Sequence, residues 1–96
     1  MIRSFKGKVA EAILREREAP KGFSFALSKI ARRKLVQPNN AGAIGDMTSP
    51  PGNRLEALHG DRRGQHSIRV NDQWRICFEW REAAAWNVEI VDYHRG

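Results

Sequence analysis

Residues 73–80 alternate without a break: Trp74, Ile76, Phe78 and Trp80 fall on one side, and Gln73, Arg75, Cys77 and Glu79 on the other. A period of two is the mark of a strand that buries one face. Such a strand cannot stand alone, because its backbone donors and acceptors need neighbours. The neighbours are close at hand. Gln65 to Val70 puts His66, Ile68 and Val70 on one face, and the apolar run from Trp86 to Tyr93 reads as a returning strand. Asn71-Asp72 is a turn signal, and Glu82 to Ala85 turns the chain again. Upstream, Arg54 to Leu58 alternates more briefly, with Leu55 against Glu56, and Gly60-Asp61-Arg62-Arg63-Gly64 reads as a turn.

Register then decides which polar groups meet. If Ile68 and Val70 share a core with Trp74 and Ile76, residue 70 pairs with 74 and residue 68 with 76. This leaves a three-residue loop, Asn71-Asp72-Gln73, and sets Arg69 opposite Arg75 on the other face. Two guanidiniums so placed repel unless an anion joins them. Either they share such an anion, which suits the donor fork of arginine to a phosphate, or they point to water with Arg75 pairing with Glu79 or Glu89. The same reasoning sets Ile76 opposite Ile90 and carries Val91 and Tyr93 onto the arginine face, with His94 at its rim.

The first half reads differently. Ile2-Arg3-Ser4-Phe5 suggests a short strand. From Lys6 to about Glu18 good helix formers prevail, with Val9, Ala12 and Ile13 on one side, until Pro20 and Gly22 break the pattern. A second helix is expected from about Ser24 to Val36, with Leu27, Ile30, Ala31 and Leu35 as its apolar stripe and Pro38-Asn39-Asn40 as its stop. A helical turn is expected at Ala41 to Ile44, and Ser49-Pro50-Pro51-Gly52-Asn53 reads as a stiff, extended connector. The order of strand, two helices and four-stranded meander predicts an α+β fold, with two helices packed on a mostly antiparallel sheet of four to five strands. Ninety-six residues suggest one domain, 1–96.

The net charge of +6 is uneven. Residues 1–50 hold ten Lys and Arg against four acids, while residues 51–96 hold seven of each. A basic half favours a polyanionic partner, nucleic acid or an acidic protein surface, unless it is merely a solubilising helix face. Cys77 is the only cysteine, so no disulfide within the chain reinforces the core, and a reducing cytoplasm suits it. It reads as a half-buried strand residue rather than a reactive thiol. No apolar run approaches membrane-spanning length, and Met1 to Lys6 is not followed by a secretory core.

Asp92-Tyr93-His94-Arg95 sets a carboxylate, a phenol, an imidazole and a guanidinium side by side where the last strand runs out. Imidazole exchanges protons near neutral pH, and a phenol can orient a reacting oxygen. His59 stands at a strand end beside Gly60, and His66 reads as structural or as a polar residue at a sheet edge. Close histidine or cysteine ligand spacing is lacking, as is a Gly-rich phosphate loop, so neither metal nor cofactor is expected. Such groups suffice for cutting RNA, whose 2′-hydroxyl is its own nucleophile. A protein need only align it, take its proton, stabilise the charged phosphorane and protonate the leaving 5′-oxygen.

Several separated words carry a resemblance: Pro50-Pro51-Gly52-Asn53-Arg54-Leu55-Glu56-Ala57-Leu58, Gly60-Asp61-Arg62, Ser67 to Phe78, and Val88-Glu89-Ile90-Val91-Asp92-Tyr93-His94. Together with Met1 to Phe5 they resemble the HigB/GraT group of RelE-like bacterial toxins. The resemblance implies a type II toxin that cleaves messenger RNA in the ribosomal A site and is bound by a helix-turn-helix antitoxin (HigA/GraA-like), which represses their shared operon. It implies that Arg75 holds the scissile phosphate, that Tyr93 and His94 are catalytic or orient the RNA, that Asp92 belongs to the same motif, and that Arg69 supports the RNA backbone. His59 stands where the group usually carries lysine, and is a candidate proton donor or cation. Arg54, Arg62, Lys6 and Lys8 are the further candidates for holding RNA. The alternative is a toxin homologue with little or no activity, acting as an antitoxin-binding co-repressor.

Overall fold

The computed structural model describes residues 1–16 and 18–92. Tyr93 and His94 therefore lie outside the described residues. Four strands form one antiparallel sheet in chain order: β1 (Glu56–Ala57), β2 (Gln65–Arg69), β3 (Trp74–Arg81) and β4 (Ala84–Asp92). Two helical segments, α1 (Val9–Glu11) and α2 (Phe25–Asn40), precede it. The architecture is the expected α+β arrangement, with both helical segments contributing to a core on one face of the sheet.

The predicted registers hold. Ile68 pairs with Ile76, Arg69 with Arg75 and Ile76 with Ile90. Val70 closes the loop by donating its N–H to the Trp74 carbonyl at 2.9 Å. Within the loop, the Asn71 side-chain oxygen accepts from the N–H groups of Gln73 (2.9 Å) and Trp74 (2.8 Å). The alternation of β3 thus does what it implies. Ile76 and Phe78 are fully buried beside Ile13, Ala31, Leu35, Ile68 and Val88, and Trp74 stacks at a tilt on Phe23, ring centroids 4.7 Å apart.

Several expected boundaries move. Residues 2–5 form no continuous strand: Ile2 and Phe5 make isolated parallel bridges to Ala85 and Val88 of β4. The cause lies in β4, where Asn87 takes φ +54 and the ladder with β3 slips between Cys77 and Glu79. Ser4 fills the gap with its hydroxyl, which accepts the Asn87 N–H at 2.8 Å. This is the geometry of a bulge, one extra residue on one strand.

The first helix starts late, after Gly7 at φ +79, and widens to a π-turn over Ala12–Glu16. α2 begins where expected, with the Ser24 hydroxyl accepting the Leu27 N–H at 3.0 Å. It does not stop at Val36 but runs through Pro38 to Asn40. Proline costs a helix one donor, yet Pro38 sits in the last turn and is buried, and the capping residue Ala41 still donates its N–H to the Gln37 carbonyl at 3.0 Å. The turn expected at 41–44 instead follows as a 3₁₀ segment, Ile44–Thr48, entered through the Asp46 carboxylate, which accepts from Gly42 (2.9 Å) and Ala43 (3.0 Å).

The connector expected to be extended is not: Pro51–Asn53 form a 3₁₀ turn, and Arg54 leaves it in the left-handed region at φ +45. Only two residues of the expected strand 54–58 pair with β2. The hairpin between β3 and β4 is tighter than Glu82–Ala85. Glu82 and Ala83 alone turn it, at φ +55 and +56, as a mirror-image two-residue turn requires.

Candidate active site

The sheet face turned away from the core carries three rows of side chains. Register aligns Arg69, Arg75 and Val91 in one row, Glu56, Ser67, Cys77 and Glu89 in the next, and Gln65, Glu79 and Trp86 beyond. The two arginines opposite each other would repel, and each turns to its own partners. Arg69 turns outward and pairs with Asp72 of the loop. Arg75 turns across the sheet and is 7% exposed.

A guanidinium this buried must be satisfied. Its Nε donates to the Ser67 hydroxyl at 2.7 Å. Its Nη2 donates to the Arg54 carbonyl at 2.6 Å and more weakly to the Ser67 carbonyl at 3.4 Å. The Glu56 carboxylate lies 3.9 Å away. Neither Glu79 nor Glu89, the acids expected from sequence, takes it. Glu79 accepts from Asn87 and lies 3.8 Å from Arg81. Glu89 is shared at 3.5 Å by Lys6 and Arg62, and Arg62 also donates to Gln65 at 3.1 Å. Lys6 and Arg62 thus join this face through one carboxylate.

Beneath them Cys77 is fully buried. Burial pushes its thiol pKa up, and Glu89 adds to this while Arg62 and Arg75 oppose it. The thiol is therefore protonated and enclosed, more deeply than the half-buried strand residue expected.

The remaining candidates lie around this centre. Arg54 is exposed, and it is its backbone carbonyl that meets Arg75. His59 is exposed at the start of the 3₁₀ turn Gly60–Arg62, where its carbonyl accepts the Arg62 N–H at 3.2 Å. Lys8 is exposed at the start of α1. Asp92 is not brought to Arg75: it pairs with Trp74, on the core side of the sheet, and accepts from Gln73 at 3.1 Å. His66 also faces the core side, opposite Phe78, with its Nδ1 buried and unpartnered among the described residues.

The family model described as "RelE-like toxin of type II toxin-antitoxin system HigB" matches residues 3–94. The chain belongs to this HigB-like toxin family. It is 35% identical over 95 residues to "Toxin HigB-1" of Vibrio cholerae serotype O1, covering 99% of both chains. It is 32% identical over 94 residues to "Endoribonuclease HigB" of Proteus vulgaris, covering 98% of this chain and all of that one. An uncharacterized protein of Haemophilus influenzae is 39% identical over 54 residues, 56% of this chain and 54% of that protein.

As a HigB-like toxin of a type II system, the chain has an antitoxin for a partner. A groove of about 620 Å³ runs along α2 between Lys29, Ile30, Arg33 and Val36, apart from the arginine face. No helix among the described residues is long and apolar enough to cross a membrane.

Three residues that support this toxin's arginine face, directly or through Arg54, escaped the sequence reading. Ser67 and Asn53 are fully buried. The Asn53 amide nitrogen donates to the carbonyls of Met47 (3.2 Å) and Ser49 (3.3 Å), and its oxygen accepts from Lys34 at 2.7 Å. Partial burial, then Arg33 and Arg69, hold the Lys34 ammonium below the usual lysine pKa. For Ser67 a signal was available, since the alternation that placed Arg69 outward places Ser67 there too. For Asn53 and Lys34 there was none, because they meet only through the tertiary fold.

Proposed function

We propose that this HigB-family toxin is an endoribonuclease that enters the ribosomal A site and cuts the messenger RNA there, stopping translation. The observation that carries the reading is Arg75, a guanidinium set in a polar sheet face by Ser67 and the Arg54 carbonyl. The name of the Proteus vulgaris relative supports the same activity.

In this reading Arg75 holds the scissile phosphate, and Arg69 supports the RNA backbone one position away in the same row. Tyr93 and His94 align the 2′-hydroxyl and exchange its proton, with Asp92 in the same motif. The 2′-oxygen forms a bond to phosphorus as the bond from phosphorus to the 5′-oxygen breaks. One proton leaves the 2′-hydroxyl for a base and another reaches the 5′-oxygen from an acid. RNA supplies the nucleophile, so no metal-bound water is required of the reaction. His59 serves as a proton donor or cation at the rim. Arg54, Arg62, Lys6 and Lys8 hold RNA, and the basic outer face of α2 meets ribosomal RNA. The antitoxin is a helix-turn-helix protein of the HigA/GraA kind, reaching operator DNA on behalf of both. The cytoplasm is the compartment of this activity, and residues 1–96 act as one domain.

The test is incubation of the purified chain with translating ribosomes and mapping of message ends. New 5′ ends at the A-site codon are expected. Intact message, with the antitoxin still bound and operator repression still enhanced, would favour the co-repressor instead.

A further inference from the structure

The Arg75 guanidinium is steered by contacts that no pairing rule of the sheet provides. A strand arginine opposite another arginine would by default extend into water. Here its Nε is turned to the hydroxyl of Ser67, one row away on β2, at 2.7 Å. Its Nη2 is turned to the Arg54 carbonyl at 2.6 Å. A planar guanidinium bonded through Nε and one Nη has both its plane and its rotation about Cδ–Nε defined.

Both acceptors are themselves fixed. Ser67 is fully buried within a strand paired on both sides. The Arg54 carbonyl is aimed by a left-handed residue at φ +45, a conformation disfavoured for residues other than glycine. The preceding Asn53 locks that turn through bonds to Met47 and Ser49, with Lys34 of α2 bonded to its oxygen. A buried serine on a polar sheet face has one further peculiarity. An alanine would fill the same space at no polar cost, so the hydroxyl's contribution lies in the bond it accepts.

We propose that Ser67 is a positioning residue for the cleavage reaction: by accepting from Nε it sets the orientation in which Arg75 meets the phosphate. The proposal rests on the reading of Arg75 as the phosphate-holding group. In Ser67→Ala the charge stays and the contacts of Nη2 with the Arg54 and Ser67 carbonyls stay, so RNA binds, but Nε loses its acceptor and the plane of the fork is set less tightly. Turnover suffers more than binding.

The experiment measures ribosome-dependent cleavage by wild type, Ser67→Ala, Ser67→Thr, Arg75→Lys and the double variant Ser67→Ala/Arg75→Lys. It also follows exchange of the Arg75 Nε proton by NMR. Ser67→Ala is expected to lower kcat about ten- to a hundredfold with KM within about threefold, the range expected of one charge-assisted hydrogen bond. Ser67→Thr, which keeps the acceptor, is expected to recover most of the loss. In the Arg75→Lys background, where no Nε exists, adding Ser67→Ala is expected to change kcat less than about twofold. The Nε proton should exchange faster in Ser67→Ala than in wild type.

An equal loss from Ser67→Ala in both backgrounds would show a merely structural serine and overturn the proposal. So would an unchanged Nε exchange rate, whatever cleavage does. Full activity of Arg75→Lys would instead overturn the reading of Arg75, and with it the catalytic part of this proposal.

Discussion

Arg75 shows how one residue can be charged, buried and stable at once. Its cost of burial is offset by a hydroxyl, two carbonyl contacts and a carboxylate at 3.9 Å. Cys77, beside it, follows the opposite logic and stays neutral. Its folded pKa is raised by burial, while an unfolded thiol ionises from about pH 8.5 upward. The stability tied to the neutral thiol is therefore whole below that pH and falls as pH rises past it. Melting temperature should drop more steeply between pH 8 and 10 in wild type than in Cys77→Ala, and the native thiol should react slowly with an aromatic disulfide reagent. A rapid native reaction would contradict the enclosed site. His59 carries a second residue-scale prediction. At pH 8 a lysine is charged where a histidine in general is largely neutral. His59→Lys is expected to keep or raise ribosome-dependent cleavage at pH 8, and a clear loss would count against a cationic or proton-donating role there. The arginine pair was legible at this scale because a single register fixes it. That Ser67, the Arg54 carbonyl and Asp72 would meet the pair was not, because those bonds depend on side-chain torsions and on a left-handed turn.

At the scale of elements, the alternating strands were read with their partners, since a one-residue slip would have exposed Ile68 and Ile76. The ends of the helices were read less well. Local stop signals at Pro38 and Asn39 yield to tertiary contacts: Pro38 is buried, and the Asn39 side chain accepts the Ile2 N–H at 3.1 Å. The bulge at Asn87 has no local signal either, because its partner hydroxyl is at Ser4, far away in sequence. Two substitutions test the elements themselves. Ser24→Ala removes the cap of α2 and should cost about 1 kcal/mol by urea unfolding. Ala83→Gly should stabilise by about 0.5–1 kcal/mol, because Ala83 sits at φ +56 where glycine is unstrained. A destabilised Ala83→Gly would show that the two-residue turn is drawn wrongly.

At the scale of the whole molecule, the two halves divide the labour. Residues 1–50 carry the entire +6 excess, and the helical layer they form packs on the sheet face opposite the arginines. The charge asymmetry was legible from composition, and so was the α+β order. The placement of Lys6 on the far face, paired with Glu89, was not, because it depends on the first residues crossing to β4. If the basic half meets ribosomal RNA, ribosome association should weaken steeply with salt, by more than about tenfold between 50 and 200 mM for several phosphate contacts. Salt-insensitive binding would point to an apolar contact along α2 instead. The central claim is that Arg75, on the sheet face turned away from the core, together with His94, cuts message on the ribosome. Its most direct test maps message ends after translating ribosomes meet wild type, Arg75→Ala and His94→Ala. The account predicts A-site cuts with wild type and their loss, by about a hundredfold or more, in both variants. Undiminished cutting by either folded variant, or intact message with wild type, would contradict it.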